Sequence, residues 1–230
     1  MDLVTNVVRR AAPAPAKRAF RSFHREYVFR RAVARFARIE RAEDLEPVLL
    51  SELVYGWGNQ WAADEEYLEA VLHAAWTADG PILECGSGLT TLLVGMIAAR
   101  TGQRLYSLEH IPFWADKIGR LLERYDVRSA YVDVAPLREG DEYAWYAPTA
   151  RVMAERFALV ICDGPPESTR GGRYGLMPVM RSRLASGCRI LVDDVHRPKD
   201  AAVLDRWAQE LDVVPERLGR GGTFACLLVP

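Results

Sequence analysis

The 230-residue sequence predicts an α/β fold: a doubly wound sheet of seven strands, mainly parallel, with an antiparallel C-terminal hairpin. Three observations carry this. From residue 81 onward, short apolar runs alternate with helical patterns, as parallel strands buried on both faces do. The first run, Pro81-Ile82-Leu83-Glu84, passes through Cys85-Gly86-Ser87-Gly88 into a helical pattern from Leu89 to Arg100, which is a strand, a tight glycine turn and a helix. The last two runs, 214–218 and 223–229, flank Gly219-Arg220-Gly221-Gly222; too few residues lie between them for a crossover helix, so they pair antiparallel.

In chain order, residues 1–49 form a basic N-terminal arm and amphipathic helix, and residues 50–230 the α/β domain. Residues 1–18 are rich in Ala, Pro and Arg, and Ala11-Ala12-Pro13-Ala14-Pro15-Ala16 reads as a flexible arm. A helix is expected over 19–41, with Phe20, Phe23, Tyr27, Phe36 and Ile39 on one side and arginines on the rest. Its aromatic stripe is expected to dock on its own domain or on a second subunit, which favours a homo-oligomer. A membrane surface or a partner protein are the other docking surfaces open to such a helix. Tyr55-Gly56-Trp57-Gly58-Asn59-Gln60-Trp61 reads as an adjustable aromatic loop before a helix over 64–77. After the glycine turn come a second strand (104–109), a helix (112–125) and a third strand (129–134). A loop with Tyr143, Trp145 and Tyr146 leads to a short helix near 149–156 and a fourth strand, Phe157 to Asp163. Thr169-Arg170-Gly171-Gly172-Arg173 reads as a flexible loop, followed by a helix to about Leu184, a fifth strand (188–192) and a helix over 201–211.

Composition is that of an ordinary globule, 50% hydrophobic and 27% charged. The net charge of -1 is unevenly placed: residues 1–41 carry +8, which leaves -9 for the remainder. No nucleic-acid motif accompanies the N-terminal arginines, so no nucleic-acid partner is expected. Cys85, Cys162, Cys188 and Cys226 show no C-x-x-C spacing and sit in apolar runs, as free thiols in a reducing compartment do. With no signal-type segment and no bilayer-length apolar run, a cytoplasmic protein is expected.

Each expected parallel strand ends in acid: Glu84, Glu109, Asp133, Asp163, and the pair Asp193-Asp194. The carboxyl ends of such strands face one crevice, so these acids line one site. Some of them can also cap the helices that follow. Glu109 lies 21 residues after Gly88, the spacing at which an acid binds ribose hydroxyls. That leaves a dinucleotide or S-adenosylmethionine. The dinucleotide fingerprint wants a third Gly or Ala where this chain has Thr91, and the closing hairpin also favours the second ligand.

Glu84-x-Gly86-x-Gly88, Glu109, Asp133, Asp163 and the closing hairpin together resemble the class I S-adenosylmethionine-dependent methyltransferases, over about residues 50–230. The resemblance implies a Rossmann-like sheet with Glu84, Gly86 and Gly88 holding the methionine end of the cofactor. It places Glu109 on the ribose and Asp133 beside adenine, with His110 packed nearby. Asp163, Asp193 and Asp194 are similar to the metal triad of catechol-type O-methyltransferases, and closer to the all-acid set of bacterial antibiotic and macrolide-sugar O-methyltransferases. This implies Mg²⁺ on three hard oxygen ligands, lowering the pKa of an acceptor hydroxyl. The lysine base of the catechol-type enzymes is missing, since Gly164-Pro165-Pro166-Glu167 stands there. His196 is the substitute base, and Asp163 is a second catalytic candidate that also counts among the cofactor-binding residues.

The expected function is therefore methyl transfer to a hydroxyl of a small-molecule or glycosyl acceptor. Its pocket would be built from the Tyr55–Trp61, Tyr143–Tyr146 and Thr169–Arg173 loops. A metal-independent N- or O-methyltransferase, a non-catalytic docking protein on the same fold, and an NAD-linked dehydrogenase are the alternatives.

Overall fold

A computed structural model describes residues 14–59 and 63–230. The chain divides into two compact units at Ala63. Residues 1–13 of the expected arm, and Gln60 and Trp61 of the expected aromatic loop, lie outside the described residues.

The first unit holds helix α1 (Ala14–Phe36) and helix α2 (Pro47–Trp57), separated by a 3₁₀ turn at Ala42–Asp44. The α1 helix begins five residues earlier than expected, because Pro15 is harmless in a first turn, where its missing N–H has no partner to lose. Phe29, Ala32, Val33 and Phe36 form its buried face at helical spacing. The expected stripe is thereby split: Phe36 is inside, but Phe20, Phe23 and Tyr27 remain exposed. Tyr55, Gly56 and Trp57 close α2 instead of forming a loop. Gly56 is required for contact between the helices, since a Cβ there would lie 2.8 Å from the Phe29 backbone. Arg35 ties them by reaching Glu46 at 2.8 Å and Glu52 at 2.6 Å. The expected division at 49/50 falls inside α2, whose Leu49, Leu50 and Leu53 are buried.

The second unit is built on a seven-stranded sheet in the order β3-β2-β1-β6-β7-β9-β8. Its strands are β1 (Ile82–Cys85), β2 (Leu105–Glu109), β3 (Ala130–Val134), β6 (Phe157–Cys162), β7 (Leu184–Val192), β8 (Glu216–Leu218) and β9 (Phe224–Leu228). The β1, β2, β3, β6 and β7 strands are parallel, whereas β9 runs antiparallel to both β7 and β8. This is the expected fold, with every residue of β1 and β2 buried as their apolar runs require. Helices α3 (Glu65–Trp76), α4 (Leu89–Thr101), α5 (Pro112–Arg124), α6 (Ala150–Met153), α7 (Leu176–Met180) and α8 (Pro198–Leu211) complete the unit. Asp64 caps α3 by accepting the Tyr67 N–H at 2.8 Å.

Two segments differ from expectation. Residues around Tyr143 form an antiparallel hairpin, β4 (Leu137–Glu139) with β5 (Ala144–Tyr146), in which Trp145 and Tyr146 are buried. Their rings meet edge to face at 5.1 Å, so these side chains are core and do not line an open pocket. The Thr169–Arg173 segment is packed against that hairpin. A Cβ on Gly171 would lie 2.7 Å from the Glu142 carbonyl oxygen, and one on Gly175 2.6 Å from Trp145 Cβ. Only glycines permit so close an approach, and a 3₁₀ turn at Gly172–Gly175 follows.

The chain runs β1, β2, β3 to one side of β1 and then returns to place β6 on the other side. The order of the sheet reverses between β1 and β6, where Cys85 pairs with Cys162. In open α/β sheets a ligand crevice opens at this switch point, outside the carboxyl ends of the strands.

Candidate functional site

On the β1 side of the crevice, the glycine turn joins β1 to α4. Gly86 takes the left-handed φ of 91°, and its backbone faces Gly164 across the switch point: a Cβ on Gly86 would be 3.4 Å from Gly164 N. A Cβ on Gly88 would meet nothing within 4 Å, so this face of the loop is open. Glu84 is fully buried beneath the loop. Its carboxylate accepts from the hydroxyls of Thr90 and Thr91, the latter at 2.6 Å, and so fastens the first turn of α4. Burial raises its pKa to about 7, against the lowering effect of the Ser107, Thr90 and Thr91 hydroxyls. Glu84 therefore shapes the loop from below and does not reach into the crevice.

Glu109, at the end of β2, is held against the same loop. Its Oε2 accepts from Ser87 N at 3.2 Å and Ser87 Oγ at 2.9 Å, and its Oε1 from Ile111 N at 2.9 Å. Trp114 Nε1 donates to the Ser87 carbonyl at 2.7 Å, so Ser87 is gripped from both sides. Neither Ser87 nor Trp114 was singled out in the sequence, although Ser87 lies inside the G-x-G turn. His110 meets Tyr146 edge to face at 6.0 Å, and its Nδ1 lies 3.2 Å from Glu109 Oε1. Asp133 is buried at the end of β3 and accepts from Thr149 Oγ1 at 2.5 Å and from Arg151. Its carboxylate thus fixes the segment leading to α6.

Across the switch point, Asp163 follows β6, and Asp193 and Asp194 follow β7. One carboxylate oxygen from each of the three lies within 4.8 Å of the others. Asp194 adopts a left-handed φ of 61°, which Asp tolerates better than most residues, and its N–H donates to Asp193 Oδ1 at 2.7 Å. The sequence reading brought these three together and missed the group between them. Arg173 is 2% exposed. Its Nη2 lies 2.9 Å from Asp194 Oδ2, 3.2 Å from Asp163 Oδ1 and 2.7 Å from the Asp163 carbonyl oxygen, and its Nη1 donates to the Asp193 carbonyl. Its Nε is 3.8 Å from Oδ1 of Asp200, a fourth and deeply buried acid. Arg197 Nη2 reaches the other Asp194 oxygen at 2.8 Å. The sequence held one signal for this: a row of strand-end acids needs a compensating charge.

The electrostatics follow from that packing. Burial raises Asp193 to about 8, and the neighbouring charges of Asp163 and Asp194 add to it. Asp163 is raised by burial and lowered in turn by Arg173. Burial works against the charge on Arg173, but Asp163, Asp200 and Asp194 outweigh it and raise its pKa. Asp163 is the most open of the four acids, and its Oδ2 accepts no hydrogen bond among the described residues. His196 is exposed and takes no part in the cluster's hydrogen bonds.

A divalent ion suits the donor set by chemistry, since three carboxylates are hard ligands. It does not suit it by space or charge. An ion bridging Asp163 Oδ1 and Asp194 Oδ2 would take the position that Arg173 Nη2 holds, and any ion on Asp194 would share its oxygens with Arg173 and Arg197.

No protein-family model matches the chain, and no curated protein matches it in sequence. Solved structures match it in fold. A candidate caffeoyl-CoA O-methyltransferase from Staphylococcus aureus superposes with a TM-score of 0.58 at 10% identity, over 82% of this chain and 94% of that one. The methyltransferase PaMTH1 of Podospora anserina, bound to S-adenosylhomocysteine, gives 0.56 at 15% identity, over 86% and 88%. A precorrin-6Y C5,15-methyltransferase from Geobacter metallireducens gives 0.52 at 13% identity, over 74% and 89%. The fold is thus the Rossmann-like fold of class I S-adenosylmethionine-dependent methyltransferases. At these identities the likeness does not extend to a substrate, a metal or a subtype.

Proposed function

We propose that this protein is an S-adenosylmethionine-dependent methyltransferase acting on a hydroxyl of a small-molecule or glycosyl acceptor without a divalent metal. The observation that carries this reading is the joining of Glu109 to the Gly86–Gly88 turn through Ser87, at the edge of the sheet where its order reverses. Such a site offers a carboxylate to ribose hydroxyls and open backbone to the amino-acid end of one ligand. Gly88 leaves the room, since a side chain there would project into open space.

When bound, S-adenosylmethionine supplies a sulfonium methyl group open to in-line displacement. Glu109 would hold the ribose, from a position fixed by Ser87 and Ile111 N. Gly86 and Gly88 admit the methionine end. Asp133 acts on the adenine side by holding the end of β3 in place through Thr149 and Arg151. Asp163, across the switch point, would meet the acceptor through Oδ2, which accepts no hydrogen bond among the described residues. The cofactor would supply the methyl group, and the part of this chain would be that of Asp163, which would take the proton of the acceptor hydroxyl.

Calorimetry on the full chain tests the reading. S-adenosylmethionine and S-adenosylhomocysteine are expected to bind, NAD is not, and Glu109→Ala weakens binding at least tenfold. Binding of NAD in preference, or a Glu109→Ala protein with unchanged affinity, overturns it.

A further inference from the structure

We infer that the guanidinium of Arg173 is the resident cation of the Asp163–Asp193–Asp194 cluster, occupying the place in which a divalent metal would sit. Its charge cannot be titrated away, because an arginine stays protonated at any pH the protein survives. Nor is it free to swing out. Its side chain is 3% exposed and its fork spans the ends of two strands, contacting the carbonyl oxygens of Asp163 on the β6 side and Asp193 on the β7 side. Those backbone contacts set the guanidinium between the strand ends independently of the carboxylates. Asp200 faces it from α8, and neither Asp200 oxygen has a hydrogen-bond partner among the described residues. Withdrawing Arg173 would take from that buried acid the guanidinium that stands 3.8 Å away. Gly171 and Gly172, at φ values of 68° and 54°, make the turn that carries Arg173 inward.

Arg173 is thus a positioning residue. It fixes Asp163 Oδ1 and leaves Oδ2 without a hydrogen bond among the described residues, on a side chain that is 37% exposed. It also cancels part of the negative field that would attract a metal: Arg173 and Arg197 stand against the ionised carboxylates of the cluster.

Mn²⁺ binding, read by electron paramagnetic resonance and calorimetry on the full chain, tests this with no need for the acceptor. The wild type and Arg173→Lys are expected to bind no Mn²⁺ at submillimolar concentration. Arg173→Met, which keeps the bulk and removes the charge, is expected to gain one site, lost again in Arg173→Met/Asp194→Asn. One equivalent of Mn²⁺ bound by the wild type and lost in Asp194→Asn overturns the inference. So does a folded Arg173→Met protein that binds none. If Arg173→Met fails to fold, the wild-type and Asp194→Asn titrations decide: no Mn²⁺ on the wild type supports the inference, and one acid-dependent equivalent overturns it. S-adenosylhomocysteine affinity, measured on the same wild-type sample, reports the methyltransferase reading separately.

Discussion

The hydroxyl of Thr91 donates to Glu84 Oε2 at 2.6 Å, and Thr91 Oγ1 itself accepts the Gly88 N–H at 2.8 Å. One side chain therefore joins the buried acid of β1 to the start of α4 and sets the curve of the glycine turn. The residue that departs from the dinucleotide fingerprint is the one that builds this link. Thr91→Ala removes a hydrogen bond from a buried carboxyl group and leaves the Gly88 N–H without a side-chain acceptor. A loss of about 2–3 kcal/mol is expected in urea unfolding, with weaker S-adenosylhomocysteine binding. Thr91→Ser keeps the hydroxyl and is expected to lose less than about 1 kcal/mol. Equal losses in the two variants would assign the effect to packing.

Glu84 should give stability a defined pH dependence. Its pKa rises from 4.5 in the unfolded chain to about 7 in the folded protein, so the folded state holds the proton more tightly. Below about pH 4.5 both states are protonated and the contribution is fully present. As pH rises towards 7 the unfolded state loses its proton first, and this stability is progressively lost; above that it is flat. The shift corresponds to about 3 kcal/mol. Glu84→Gln is expected to lack this slope, so the stability difference between wild type and variant should change across pH 4.5–7. A constant difference would mean that Glu84 titrates alike in the folded and unfolded states.

Asp163→Asn separates chemistry from binding. The amide oxygen can still accept from Arg173, so the cluster should hold, but the side chain cannot take a proton. A fall in kcat of about 10²–10⁴-fold is expected, with S-adenosylhomocysteine affinity within twofold of wild type. A fall of less than threefold, together with a large loss in His196→Gln, would move the base to His196.

The contact across the switch point is steric and can be repaired. A Cβ on Gly164 would overlap the Tyr146 hydroxyl and lie 3.1 Å from the Cys85 carbonyl oxygen. Gly164→Ala is expected to destabilise by about 1–3 kcal/mol, read as a lower Tm. Tyr146→Phe in the same chain removes the overlapping oxygen and should recover much of that loss. No recovery would place the strain at the Cys85 backbone instead.

The sequence by itself determined the sheet. Buried parallel strands must be apolar along their whole length, a glycine turn must follow β1, and a connection as short as 219–222 can only close a hairpin, so these features are local and legible. It also brought Glu109 to the glycine turn and the three acids to one crevice, because strand ends share an edge. Tertiary structure decided what those acids face. Arg173 lies in a segment whose glycines suggest mobility, yet the same glycines let it pack against β5 and carry the charge inward. Trp145 and Tyr146 look like pocket aromatics until hairpin pairing turns them into the core. Glu84 and Asp133 stand in the sequence as strand-end acids, and the tertiary structure adds the hydroxyls that they hold, Thr90 and Thr91 for one and Thr149 for the other. Each of these outcomes depends on a partner distant in sequence, and local pattern carries no record of which distant group will satisfy a buried charge.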